Sequence, residues 1–460
     1  MDISVREIIE ATGGELIHGK GTLRANSVST DSRRESRGAV FFALKGPNFD
    51  GHRFVPDVLG RGASVAVVDS PVIGELPPGA AVVRVKDTLS SLGALGRYIR
   101  GLYNIPLIAI SGSAGKTTTK EMTASILSQS RKVLKTEGNL NNLIGLPLTL
   151  FGLDNTHRAA VIELGISEFS EMERLVDICA PDIALLTNIG RAHLLTLGSV
   201  EGVARAKGPL FTKLGPDKYR AVNLDDPLIR ALAGKDGRQV TFSLKEKADV
   251  RVREYSVEDS FGGSAALYEV AGKDVTVRFN APGATNIING AAAIAAALPL
   301  GPSLKEIEDG LSSFSPVHGR MEIVKVDGFT VLDDTYNANP ESMASALRTL
   351  AKAPGRKVAV IGDMLELGDA SPVEHYEIGL LSGRLGVDIV MAIGAFSGEV
   401  ANGASAGGAK KAEAFGDKEA ALEAVKKTVK AGDSVLVKAS RGLCLEYIVE
   451  GLKTSFREAV

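Results

Sequence analysis

The chain carries Ser111-Gly112-Ser113-Ala114-Gly115-Lys116-Thr117-Thr118-Thr119 between the apolar run Leu107-Ile108-Ala109-Ile110 and a helix-compatible stretch. Glycines let successive backbone N–H groups converge on phosphate oxygens. The N-terminus of a following helix adds a favourable dipole for the same anion. Lys116 can neutralise charge on β- and γ-phosphates, and the Thr117 hydroxyl can bind Mg2+. The spacing is shorter than the usual Gly-x-x-x-x-Gly-Lys-[Ser/Thr] pattern, whose first glycine would fall at Ile110. The loop is therefore a Gly-x-x-Gly-Lys-Thr variant. Gly112, Ser113, Ala114, Gly115, Lys116, Thr117 and Thr118 are the candidate phosphate contacts, with Lys116 also a candidate catalytic group. The competing reading is a tight turn before an ordinary helix; the flanking strand and the Lys-Thr pair favour the phosphate loop.

Other side chains gain chemistry from where they stand. Glu163 ends the apolar strand Ala159-Ala160-Val161-Ile162-Glu163, which puts a carboxylate at the C-terminal edge of a sheet, where ligands bind. His193 follows the strand Ile183–Thr187 and could serve as a neutral imidazole ligand, although a lone histidine is more often structural. Lys207, taken alone, is a surface lysine of a helix. Asn286 stands at an expected helix start, where capping is the plain alternative to ligand contact.

These residues must be held by a framework of alternating strands and helices. The length of 460 residues suits about three domains. Residues 1–101 read as a small α/β unit, with strands at 40–44, 65–68 and 81–85. Residues 102–315 open with the strand, loop and helix above and continue through strands at 159–163, 183–187 and 219–223. Alternation of this kind implies a largely parallel sheet. Residues 249–280 alternate like an antiparallel patch, and 287–300 read as a buried Ala-rich helix. Pro316-Val317-His318-Gly319-Arg320 resembles a linker. Strands at 329–333, 357–361, 388–392 and 434–438 then predict a third, Rossmann-like domain over 316–460. The expected class is α/β with three domains: a small N-terminal α/β domain, a central P-loop ATPase-like domain with a mostly parallel sheet, and the C-terminal Rossmann-like domain.

Composition removes several classes. A formal net charge of -2 gives no basic field for nucleic acid or anionic lipid. No apolar stretch reaches the roughly 20 residues needed to span a bilayer. The N-terminal residues lack the pattern of a signal peptide. The two cysteines, Cys179 and Cys444, match neither a disulfide framework nor zinc spacing. A cytoplasmic monomer is the expectation.

Beyond the loop, Thr136-Glu137-Gly138-Asn139-Leu140-Asn141-Asn142-Leu143-Ile144-Gly145-Leu146-Pro147, Thr187-Asn188-Ile189-Gly190-Arg191-Ala192-His193 and Ala206-Lys207-Gly208 resemble motifs of the Mur ligases. Asp333-Asp334-Thr335-Tyr336-Asn337-Ala338-Asn339-Pro340 and Gly362-Asp363-Met364-Leu365-Glu366-Leu367-Gly368 are similar to segments of the D-alanyl-D-alanine-adding member. The resemblance covers nearly the whole chain. It departs at Phe169-Ser170, where Pro-Gly is usual, at Leu195, at Pro209 and at Ala439.

The resemblance implies ATP-dependent joining of D-alanyl-D-alanine to a UDP-N-acetylmuramoyl-tripeptide through an acyl-phosphate. It implies two Mg2+ ions held by Thr117, Glu163, His193 and a carbamate on Lys207, with Lys116, Lys207 and His193 catalytic. It further implies adenine contact by Asn286 and ATP contact by Arg320 and Asp334. Asp31, Ser32, Arg33, Lys45, Gly46, Asp50 and His52 would bind the uridine nucleotide, although two polar surface turns would look the same. Asn139, Asn141 and Asn142 would hold the sugar-peptide, and Tyr336, Asn337 and Asn339 the dipeptide. Asp363, Glu366 and His375 are the candidates for the base that takes the amine proton. Two rival readings are another amide ligase of the family, such as a folylpolyglutamate type, and a nucleotide-gated switch with no amine acceptor.

Overall fold

The computed structural model describes residues 1–34, 37–257, 263–280, 283–326 and 328–457. The chain forms two compact units. One comprises Met1–Ala109, Arg131–Ile166 and Ser170–Ile183, and the other Ile110–Ser130, Ser167–Phe169 and Ala184–Val460. The class is α/β, as the alternation of strands and helices predicts.

In the first unit a five-stranded sheet runs in the order Glu15–His18, Ala81–Arg84, Val65–Val68, Ala39–Phe42 and Ser27–Ser29. Its three inner strands are buried on both faces, which is why their sequences are continuous apolar runs. Val40, Phe42, Val65, Val67, Ala81 and Val83 pack one face, against the helices Val5–Thr12 and Thr88–Gly101. Phe41, Ala66, Val68 and Val82 pack the other. The short edge strand Glu15–His18 alternates exposed and half-buried residues, and its apolar run is only Leu16-Ile17. The same unit holds Val133–Lys135 beside Ala159–Glu163 in parallel register.

In the second unit Tyr219–Asn223 and Arg238–Ser243 pair in parallel. Val250–Val257, Ser264–Val270 and Lys273–Phe279 then form the expected antiparallel patch. The Ala-rich segment is a helix over Thr285–Ala297, buried along almost its whole length. Its cap is Ala284, so Asn286 lies inside the first turn and is not the N-cap.

The C-terminal sheet runs Glu322–Val326, Phe329–Asp334, Ser434–Lys438, Lys357–Gly362, Ile389–Ile393 and Lys411–Phe415. It is parallel except for the Glu322–Val326 edge. Alternate residues of one strand feed two cores: Val435 and Val437 face one side and Leu436 the other. The helices Ser371–Arg384 and Ser397–Gly407 approach at their glycines. A Cβ on Gly379 would stand 2.1 Å from Val400 O, and one on Gly403 would stand 2.1 Å from Tyr376 O.

Candidate active site

The strand Leu107–Ser111 is wholly buried and releases into Gly112–Gly115, after which the helix Lys116–Ser128 begins without a side-chain cap. The first N–H groups of a helix have no intrahelical acceptor and suit an anion. Two glycines are required by their surroundings. Gly112 has φ +145, and a Cβ there would lie 1.9 Å from Thr187 Oγ1; Gly115 has φ +80, and its Cβ would meet Asn289 Oδ1 at 2.5 Å. Lys116 folds over the loop and donates to Gly112 O at 2.9 Å.

The end of the strand Ile183–Leu186 holds this loop in shape. Ser113 N donates to Asn188 O. Ala114 N donates to Asn188 Oδ1 at 2.9 Å, while Thr187 Oγ1 and Asn188 Nδ2 donate to Ala114 O at 2.6 and 3.0 Å. Ser113 Oγ and Gly190 exchange hydrogen bonds at 2.9 and 3.1 Å. The stretch read for its histidine thus also shapes the phosphate loop.

A cavity of about 270 Å³ opens in front of the loop. It brings together Ser113 to Thr118, Asn286, Arg320 and Asp334, all expected to touch ATP, and also Tyr336, Asn337 and Asn339, which were expected to face the dipeptide. The Arg320 guanidinium stacks over Tyr336 at 4.0 Å from the ring centroid. Arg320 Nε is buried with no hydrogen-bond partner among the described residues, an orphaned donor that an anion in this cavity would satisfy. Asn339 caps the helix Pro340–Ala351 through Ser342 N and reaches across to Ser113 O at 3.2 Å.

The cavity also contains residues to which sequence reasoning assigned no role of their own. Asn188 and Asn289 line it, as do Glu341 and Lys438. Lys438 Nζ, almost fully buried, lies 2.6 Å from Asp334 Oδ2 and 2.7 Å from Asn337 O. Its signal was available: a lysine ending an apolar strand at a sheet edge is placed as Glu163 is. Glu341 receives Arg191 N and Nε at 3.1 and 2.9 Å, while Arg191 Nη1 meets Glu374 at 2.8 Å.

Thr117 and Lys207 are buried, Lys207 at 1% exposure. His193 has φ +55 and Glu366 φ +65, a backbone region that non-glycine residues occupy at a cost, often at functional sites. Their side chains meet through His193 Nδ1. That hydrogen bond pulls the Glu366 carboxyl below its usual range. With Nδ1 occupied, Nε2 remains the nitrogen available to a ligand. His375 is fully buried: Met364 N donates to its Nε2 at 2.8 Å and its Nδ1 faces Ser371 O at 2.6 Å. Asp363 accepts from Ala395 N and Phe396 N. Both are engaged by backbone, whereas Glu366, paired with His193, keeps a partly exposed side chain.

In the first unit Glu163 accepts from Asn141 Nδ2 at 2.8 Å. Asn142 Oδ1 accepts from Ile144 N and Gly145 N, and Asn139 O accepts from Asn141 N, so this asparagine run builds its own turn. Around the expected uridine region, Arg33 grips Asp31 through Nε and Nη2 and holds that carboxyl at about 2. Ser32 O receives Arg61. Lys45-Gly46 pairs with Phe49-Asp50 as a hairpin. Lys45 Nζ meets Asp69 at 2.9 Å, and the buried His52 bridges Asp50 Oδ1 and Asp69 N.

Comparison with known families matches residues 24–99 to the Mur ligase family catalytic domain, 110–297 to the Mur ligase middle domain and 319–441 to the Mur ligase glutamate ligase domain. The chain is 34% identical to the UDP-N-acetylmuramoyl-tripeptide--D-alanyl-D-alanine ligase of Escherichia coli (strain K12), over 98% of this chain and 99% of that one. It belongs to the Mur ligase family. Among solved Mur ligases, the MurF of Acinetobacter baumannii superposes with a TM-score of 0.91 at 34% identity, covering 99% of both chains. The MurF ligase of Thermotoga maritima in complex with ADP gives 0.84 at 28% identity, over 94% of this chain and 98% of that one.

Proposed function

We propose that this Mur ligase joins D-alanyl-D-alanine to UDP-N-acetylmuramoyl-tripeptide at the expense of ATP, giving the UDP-linked pentapeptide, ADP and phosphate. The observation that carries the reading is the cavity that faces the phosphate loop with Asn286, Arg320 and Asp334. Likeness to a named ligase over nearly the full chain supports the choice of substrates. The neighbour solved with ADP supports the choice of nucleotide. A folylpolyglutamate-type ligase or a nucleotide switch gains nothing from these relatives.

In this reading the loop N–H groups and Lys116 hold the β- and γ-phosphates, Asn286 contacts adenine, and Arg320 and Asp334 contact the phosphate and ribose ends. The tripeptide's terminal carboxylate takes the γ-phosphoryl group. The dipeptide amine then attacks the acyl carbon, phosphate leaves with one former carboxylate oxygen, and the amine gives up a proton, for which Glu366 is the candidate acceptor. Such phosphoryl transfer is served by positioning and charge stabilisation more than by covalent help from the protein.

Thr117, Glu163, His193 and Lys207 are the residues that would hold Mg2+, which supplies charge neutralisation for the transferring group. The burial of Lys207 supports a carbamate there. A neutral amine there would react with CO2 to become an anionic ligand, releasing a proton. The uridine end falls to Asp31, Ser32, Arg33, Lys45, Gly46, Asp50 and His52, the sugar-peptide to Asn139, Asn141 and Asn142, and the dipeptide to Tyr336, Asn337 and Asn339. The assignment of 1–101 to the UDP-sugar, 102–315 to ATP and 316–460 to ligation completes the proposal, with the enzyme working as a cytoplasmic monomer.

Phosphate release is the test. It should require UDP-tripeptide and D-alanyl-D-alanine together. Release indifferent to either one refutes the assignment, and full turnover in Lys116→Ala refutes the role of the loop.

A further inference from the structure

The turn that leads into Glu322–Val326 carries a second group of side chains able to do chemistry, outside the residues proposed for Mg2+. His318 Nδ1 lies 2.8 Å from Glu322 Oε2. Glu322 is paired across the sheet with Asp333. A ring nitrogen of His318 and one carboxylate oxygen each from Glu322 and Asp333 all lie within 4.8 Å of one another.

Asp333 decides what this group is for. It is fully buried, at 0% exposure. Thr335 N and Thr335 Oγ1 both donate to Oδ1, at 3.1 and 2.6 Å. Oδ2 is buried with no hydrogen-bond partner among the described residues. A carboxylate oxygen taken out of water with no donor bears its whole desolvation penalty. A cation beside it removes that penalty, and the neighbouring groups are an imidazole and a second carboxylate.

We propose that His318, Glu322 and Asp333 form a binding site for one divalent transition-metal ion of the Zn2+ type, with a further coordination position left to water. Imidazole nitrogen with carboxylate oxygens suits Zn2+. Mg2+ instead favours oxygen ligands in near-octahedral order. Metal–ligand bonds of about 2.0–2.2 Å place ligand atoms roughly 3.3 Å apart. The His318 side chain, 68% exposed, has the freedom to close to that separation. Bound metal ties the turn at 317–321 to the strand Phe329–Asp334. Arg320 lies in that turn and Asp334 follows Asp333, and both line the nucleotide cavity. The ion thereby holds Arg320 in place over Tyr336.

Zn2+ titration of the full chain without nucleotide, followed by calorimetry and thermal melting, tests the site, with Co2+ as an optical probe. One Zn2+ should bind in the micromolar range and raise Tm, since only the folded chain offers the three ligands together. Co2+ should give a visible absorption band. His318→Gln, a change at an exposed position, should fold normally, lose the band and bind at least roughly tenfold more weakly. Asp333→Asn should behave alike, with far-UV circular dichroism reporting whether it folds. Failure of the wild type to take Zn2+ at millimolar concentration overturns the proposal, as does wild-type affinity in His318→Gln. The measurement needs no nucleotide or peptide, so its outcome is independent of the ligase reading.

Discussion

Replacing Lys438 with methionine keeps the aliphatic stem and removes one charge from the lining of the cavity beside Gly115 and Lys116. The Lys438 side chain is 2% exposed and that of its partner Asp334 is 15% exposed, with Nζ and Oδ2 2.6 Å apart. Removing one member of a buried pair costs about 3–5 kcal/mol, because the other charge is left without compensation. Asp334 keeps a hydrogen bond from Met321 N at 3.1 Å and some contact with water, which puts the cost near the lower end. A loss of about 3 kcal/mol lowers the folding equilibrium constant by roughly two powers of ten. The chain has no tryptophan, so urea unfolding is best followed by far-UV circular dichroism. The double variant Lys438→Met with Asp334→Asn removes both charges and should recover more than half of the loss. A single variant within about 1 kcal/mol of the wild type, or a double variant less stable than the single, refutes this account of the pair.

The two cysteines should differ sharply in reactivity. Cys179 is buried, which pushes its thiol up to about 12, while Cys444 is exposed. A thiol reagent at mildly alkaline pH should therefore label one site in the folded chain and two after unfolding, and rapid native labelling of Cys179 contradicts the burial argument. Burial acts to raise the Asp69 carboxyl but is outweighed by hydrogen bonds from Lys45, Ser70 and Thr88, which bring it to about 2. Its folded pKa is depressed, so its stabilisation is present above the unfolded value near 3.8 and fades as pH falls toward 2. The stability gap between wild type and Asp69→Asn should narrow across that window; a constant gap is the contrary result. Ser170 has φ +69 and makes no side-chain cap, in a position where the family resemblance expects glycine. Left-handed backbone costs a non-glycine residue about 1–2 kcal/mol, so Ser170→Gly should raise the urea midpoint, and a lower midpoint would show that the serine is stabilising.

The inner strands were legible because burial on both faces leaves an uninterrupted apolar run: Val65–Val68, Ala159–Glu163 and Ser434–Lys438 begin and end where their residue types place them. Edge strands hide this signal. Lys411–Phe415 has no fully buried residue, and its sequence reads as surface. The strand, glycine turn and helix over 107–128 were legible because the positive φ of Gly112 and Gly115 demands particular residue types in sequence. Lys438 stands at a strand end where a charge signals a site, but its partner Asp334 lies on a neighbouring strand, a hundred residues away, and no local pattern names it. Asn188 was overlooked for a related reason: its amide supports Ala114, and nothing in its own stretch indicates which loop will be near. His375 illustrates the opposite error. A histidine beside a motif looks catalytic until both ring nitrogens are seen facing backbone groups.

The chemistry has a direct isotopic test. UDP-N-acetylmuramoyl-tripeptide labelled with 18O in its terminal carboxylate is incubated with this chain, ATP and D-alanyl-D-alanine, and the released phosphate is analysed by mass spectrometry. Activation through an acyl-phosphate predicts one labelled oxygen in each phosphate and one retained in the new amide carbonyl. Phosphate that emerges unlabelled while the pentapeptide forms would contradict it.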